Sequence, residues 1–149
     1  ESSLMYAKEL IKNPKIIVPE IVVVSESPEK KGRIIHVNSL NKNESIFDIA
    51  PEALYELQPI IQNSGTILWN GPIGFFEKEN FARGTLLIAD MIVSSKSFSV
   101  LGGGDTIAAA EKAGVIDKID YVSTAGGAFL EFMEGKKLPA VEALMDKFN

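Results

Sequence analysis

Three glycine-bearing segments each follow directly on an apolar run: Asn70-Gly71-Pro72 after ILW, Gly102-Gly103-Gly104-Asp105 after SVL, and Thr124-Ala125-Gly126-Gly127 after YVS. Glycine has no Cβ, so the main chain at such a turn takes left-handed conformations and approaches an anion closely. If each apolar run is a strand of one parallel sheet, the three turns share the edge at its carboxyl ends, where open α/β sheets bind ligands. Successive helix N-termini on that edge offer unpaired amides and positive dipole ends, and phosphate is the anion they suit.

Asp105 reads in this setting as a metal partner. A carboxylate aimed at phosphates repels them unless Mg²⁺ stands between, and Mg²⁺ is usually held by one or two carboxylates with phosphate oxygens and water. Thr106 is placed to add a hydroxyl or amide hydrogen bond. The competing reading is that Asp105 caps the helix DTIAAAEKAG and the glycines only make a tight turn. LGGGDTI lacks the third glycine of G-x-G-x-x-G, and the chain nowhere contains G-x-x-x-x-G-K-[ST]. A Rossmann dehydrogenase and a P-loop NTPase are therefore disfavoured. His36, inside GRIIHV with no carboxylate or second His nearby in sequence, reads as an ordinary strand residue, and Trp69, ending an apolar strand, as core.

The elements that must position these residues follow from periodicity. Leu4, Ala7, Leu10 and Ile11 predict a short helix closed by Asn13-Pro14, and KIIVPEIVVV and GRIIHV predict two strands. Pro51 opens a second helix whose stripe, Leu54, Leu57, Ile60 and Ile61, stops near Asn63-Ser64-Gly65. From there strands and helices alternate: TILW, a helix over 79–93, SFSVL, the helix DTIAAAEKAG, YVS, the helix GGAFLEFMEG stopped by Gly135, and a last helix PAVEALMDKF begun by Pro139. Such alternation implies parallel pairing and an α/β sheet.

Composition bounds the function. With 149 residues, 46% apolar and 23% charged, one globular domain or most of one is expected. Twenty acidic against fifteen basic residues leave a net charge of −5, without the basic stripe that a nucleic-acid partner requires. The absence of cysteine excludes a disulfide framework and suits a reducing cytosol without forbidding secretion. The longest apolar stretch, Ile16 to Val24, is broken by Pro19 and Glu20 and is too short to span a bilayer, so no membrane partner is expected. The chain opens on Glu1 with neither an initiator Met nor a signal-peptide pattern, and so reads as a piece of something longer.

LWNGPIGFFEKENFARGT and VLGGGDTIAAAEKAGVIDKIDYVSTAGGAFLEFMEGKKLPAVEAL, with the spacing between them, closely resemble the C-terminal half of phosphoglycerate kinase. The resemblance is strong over residues 66–144 and looser in KIIVPEIVVVSE and IFDIAPEAL. It implies a doubly wound, mostly parallel open sheet of Rossmann-like type, truncated on its N-terminal side, with residues 1–149 an incomplete C-terminal nucleotide-binding domain. The implied parent is a cytoplasmic, glycolytic two-domain kinase that moves a phosphoryl group reversibly between 1,3-bisphosphoglycerate and MgADP, giving 3-phosphoglycerate and MgATP.

Position by position, the resemblance puts Gly71, Pro72, Gly74 and Phe75 beside the nucleoside and Glu77 on the ribose hydroxyls, with Asn70 near the phosphates. It puts Gly102, Gly103 and Gly104 near the transferring phosphoryl group, Asp105 on the nucleotide's Mg²⁺, Thr106 on a phosphate, and Gly126 and Gly127 as a cap over the anion site. Phe75 stands where a small apolar residue is usual, Ala125 where the family has a glycine, and Ala50 where it has the glycine of D-I-G-P. The family's phosphoryl-stabilising arginine and lysine have no counterpart here, so the chain alone is expected to be inactive. A non-catalytic nucleotide-binding module and a pure interaction module are the rival readings.

Overall fold

The computed structural model describes residues 2–145 and 147. Helix α1 (Ser2–Leu10) precedes three strands, β1 (Ile21–Ser25), β2 (Arg33–His36) and β3 (Ser45–Ile49), and two short helices, α2 (Pro51–Tyr55) and α3 (Gln58–Gln62). Strands and helices then alternate as β4 (Thr66–Asn70), α4 (Arg83–Val93), β5 (Phe98–Gly102), α5 (Gly104–Lys112), β6 (Tyr121–Ser123) and α6 (Gly126–Met133), with α7 (Pro139–Met145) last.

The expected parallel sheet is present, in the order β4-β5-β6. The first three strands instead form a separate antiparallel sheet, β2-β1-β3. The connection from β1 to β2, residues 26–32, is too short for the crossover of a dozen or more residues that parallel pairing needs.

Three expected elements are corrected. KIIVPEIVVV is not one strand: β1 begins only at Ile21, because Pro19 has no amide for a ladder, and Ile16, Ile17 and Val18 are left exposed. The helix begun at Pro51 breaks into α2 and α3, since Pro59 cannot donate to the carbonyl one turn back, and Ile60 of its stripe ends up exposed. The helix over 79–93 enters as a tight 3-10 turn, Glu79–Phe81, before α4. Strand β3, in SIFDI, was not expected. The last helix reaches Met145, and Asp146 and Phe148 of its expected span lie outside the described residues.

Helices α2 to α5 cover one face of the parallel sheet. Trp69 and Leu101, paired across β4 and β5, join Leu54, Ile88, Ala89, Ile92, Ala109 and Ala110 in the main core. Burying each large side chain there contributes about 1.5–3 kcal/mol. The opposite face carries Leu68, Phe98 and Tyr121, which are 40%, 52% and 56% exposed. Among the described residues no helix is long and apolar enough to cross a membrane.

Candidate functional site

The parallel register sets Asn70 beside Gly102 and Gly102 beside Ser123, so the three glycine turns leave one edge of the sheet side by side. Gly71 and Gly103 have φ of 101° and 94°, conformations that a side chain disfavours. Gly103 is the N-cap of α5, which leaves Asp105 an exposed residue within the first helical turn rather than its cap. The first backbone bond into α5 runs from the Ile107 amide to the Gly103 carbonyl at 3.0 Å. The amides of Gly104, Asp105 and Thr106 therefore precede any intrahelical partner and carry the positive end of the dipole. Helix α6 begins likewise, at Gly126 and Gly127 with Ala125 at its cap.

The first turn departs from expectation, because no helix N-terminus follows it. The chain runs on to α4, and the turn's amides are already held. Gly71 N donates to Thr106 Oγ1 at 2.7 Å, Ile73 N and Gly74 N both donate to Thr85 Oγ1 at 3.2 Å, and Phe75 N donates to the Phe47 carbonyl at 2.7 Å. Lys112 Nζ donates to the Phe76 carbonyl, and Trp69 Nε1 to the Gly71 carbonyl at 2.9 Å. Asn70 Nδ2 donates to the Gly102 carbonyl at 2.9 Å and ties the first turn to the second.

These bonds sort the sequence candidates. Gly103 and Gly126 are half-buried, whereas Gly104, Asp105, Gly127, Phe75 and Glu77 are exposed along the edge, with Pro72 half-buried among them. The Thr106 hydroxyl is buried and committed to Gly71, which leaves its amide, without an intrahelical partner, as its one free donor. Gly102 lies beneath Phe129, whose ring carbon would stand 2.5 Å from a Cβ placed there. Close packing is by itself a reason for glycine at 102. Gly74 is constrained similarly, since its Cβ would meet Asp48 Oδ1 at 2.2 Å and the Phe81 carbonyl at 2.5 Å.

Asp48, Thr85 and Lys112 were given no role by sequence reasoning, although IFDIAPEAL, FARGT and DTIAAAEKAG contain them. A carboxylate inside an apolar strand was the available signal. Asp48 is 2% exposed; its Oδ2 accepts from Gly84 N at 2.8 Å and its Oδ1 from Ile49 N at 2.9 Å. It thus anchors the first turn of α4, where the flanking Ala82 offers no side-chain cap. Phe47 beside it stacks on Phe81 at 4.8 Å and on Phe75 at 6.2 Å between centroids.

Burial pushes the Asp48 carboxyl up from 3.8 to about 6, against the pull of its two backbone hydrogen bonds. The folded chain therefore binds this proton more tightly than the unfolded one. Its contribution is fully present below about pH 4 and is lost as pH rises through 6, by at most about 3 kcal/mol. The Arg33 guanidinium holds Glu44 down at about 2, so that pair acts in the opposite sense only below pH 4.5. Denaturant unfolding between pH 4.5 and 7.5 is expected to show stability falling with pH, and Asp48→Asn to flatten the slope. Equal slopes in both proteins would remove Asp48 as its source.

The fold supplies His36 with the carboxylate its sequence neighbourhood lacked: Nε2 lies 3.1 Å from Glu20 Oε2, while Nδ1 accepts from Asn38 N at 3.2 Å. The pair is exposed, with His36 ending β2 of the antiparallel sheet. Trp69 is buried in the core as expected.

A family model described as phosphoglycerate kinase matches residues 1–136. A curated phosphoglycerate kinase from Baumannia cicadellinicola subsp. Homalodisca coagulata is 47% identical over 141 residues, which is 95% of this chain and 36% of the relative. The solved structure of phosphoglycerate kinase from Coxiella burnetii superposes with a TM-score of 0.86 at 41% identity, over 98% of this chain and 38% of that one. The structure of phosphoglycerate kinase from Pyrococcus horikoshii OT3 gives a TM-score of 0.81 at 35% identity, over 97% and 37%. The chain thus spans a little over a third of the length of these relatives.

Proposed function

The chain belongs to the phosphoglycerate kinase family, and from that premise we propose that residues 1–149 supply the MgADP/MgATP side of an enzyme transferring a phosphoryl group reversibly between 1,3-bisphosphoglycerate and MgADP. The products are 3-phosphoglycerate and MgATP, in cytoplasmic glycolysis. The residues form part of a C-terminal nucleotide-binding domain, and a separate domain holds the three-carbon substrate. The observation that carries this reading is the shared edge, where Asn70, Gly102 and Ser123 end three parallel strands side by side.

Each residue on the edge then has a task. Gly71, Pro72, Gly74 and Phe75 form a wall for the nucleoside, and Glu77 accepts hydrogen bonds from the ribose hydroxyls. The early amides of α5, from Gly104 to Thr106, face the phosphates with Gly103 turning the chain toward them, and Gly126 and Gly127 close the anion site from the third turn. Asn70 keeps the first two turns in register through its bond to Gly102.

A resident metal cage is not what these residues resemble, since no group of three or more His, Cys, Asp or Glu is clustered for one among the described residues. A single exposed carboxylate beside phosphate-facing amides does fit a Mg²⁺ that arrives with the nucleotide, and Asp105 would hold it. An ion held there would offset phosphate charge during transfer.

The test is Glu77→Ala in a chimera whose matching 38% of the Coxiella burnetii enzyme is replaced by residues 1–149. A charge-assisted bond to the ribose is worth about 1.5–3 kcal/mol, so KM for ADP should rise about tenfold to hundredfold with kcat little changed. Unaltered nucleotide affinity by calorimetry would leave Glu77 a solvated surface charge.

A further inference from the structure

The first glycine turn is locally soft, with Gly71 and Gly74 within four residues and no helix to continue it. Its shape is imposed from outside. Thr85 is fully buried on the first turn of α4, and its Oγ1 stands 3.2 Å from the amide nitrogens of both Ile73 and Gly74. A hydroxyl oxygen has two lone pairs, so one side chain accepts from two consecutive amides and locks the peptide between them. The helix start that carries Thr85 is itself fixed, because Gly84 N donates to Asp48 Oδ2 on β3 at 2.8 Å. Position is thus passed from β3 to α4 and from α4 to the turn.

We propose that Thr85 is a positioning residue for nucleotide recognition: its hydroxyl places the Ile73–Gly74 peptide and thereby the exposed Phe75 and Glu77 that follow. This rests on the nucleotide reading above. Thr85 does not reach the open edge itself, since its oxygen is spent on the turn and its side chain is buried. Valine has the same shape without the acceptor. In its place two half-buried amides would lose their partner, and the turn would shift to find another.

The test uses the chimera and its Thr85→Val and Thr85→Ser variants, with Thr85→Ala replacing Val if that variant does not fold. Loss of the hydroxyl should raise KM for MgADP about tenfold while kcat changes less than about threefold, and Ser should restore KM. Amide hydrogen exchange should quicken at Ile73 and Gly74 in the Val variant and stay unchanged at Ile88–Ile92 of the same helix. An unchanged KM with Val, or a raised KM that Ser does not rescue, would overturn the inference while leaving the nucleotide site standing. If the unsubstituted chimera binds no MgADP, the nucleotide reading fails first and the inference with it.

Discussion

Asp105→Ala in the chimera is expected to cut turnover at least about 100-fold, or about 2.7 kcal/mol of transition-state stabilisation, while the unfolding midpoint barely moves. The two effects separate because of where Asp105 sits. It is exposed, it is not the cap of α5, and Gly103 takes that position. Its structural worth is then limited to a charge in the first helical turn, about 0.3–1 kcal/mol. Its chemical worth is larger, because phosphoryl transfer depends almost wholly on positioning and charge compensation. Steady-state kinetics and thermal unfolding on the same preparation check both halves. Near-normal turnover would remove Asp105 from the mechanism, and a parallel collapse of stability would make it a folding residue.

Isolated residues 1–149 are expected to show no phosphoryl transfer and to self-associate. Helices α2 to α5 cover one face of the parallel sheet, whereas on the other only Gly102 is covered, by Phe129 of α6, and Leu68, Phe98 and Tyr121 stand exposed. The stripe of α1 is open as well, with Leu4 and Leu10 exposed, and so is that of α7 at Val141, Leu144 and Met145. Apolar surface of this extent marks a face that packs against protein, and without a partner it favours association between copies. The edges of a three-stranded sheet add unpaired backbone groups to the same tendency. Catalysis is expected to fail for a separate reason. A chain a little over a third as long as its relatives is expected to bring only the nucleotide edge of the proposed enzyme, without the cations that would steady a migrating phosphoryl group. Sedimentation should show oligomers, and a monodisperse, stable monomer would contradict the packing argument.

The glycine turns were legible because strand and turn adjoin in sequence. ILW, SVL and YVS each run into glycine within a residue or two, and parallel pairing then aligns their ends. Which amides remain free was not legible. Thr106 meets Gly71 from 35 residues away, and Asp48 meets Gly84 across 36, so nothing local to the turn announces either bond. Gly102 illustrates the same limit: a glycine suited to an anion loop has a separate reason there in close packing against the ring of Phe129. Local pattern also failed where proline competes with it, at Pro19 before β1 and at Pro59 between α2 and α3. Strand β3 carries no clean alternation, because its five residues mix exposed, half-buried and buried positions, with a carboxylate at the buried one.

A coupled assay of ADP phosphorylation by 1,3-bisphosphoglycerate, run in parallel on isolated residues 1–149 and on the chimera with the Coxiella burnetii enzyme, tests most directly whether this chain supplies the nucleotide half of the site. Turnover by the chimera, saturable in MgADP, together with none by the isolated chain, is the expected result. A folded chimera that neither binds MgADP nor turns over, or an isolated chain that turns over unaided, would contradict it.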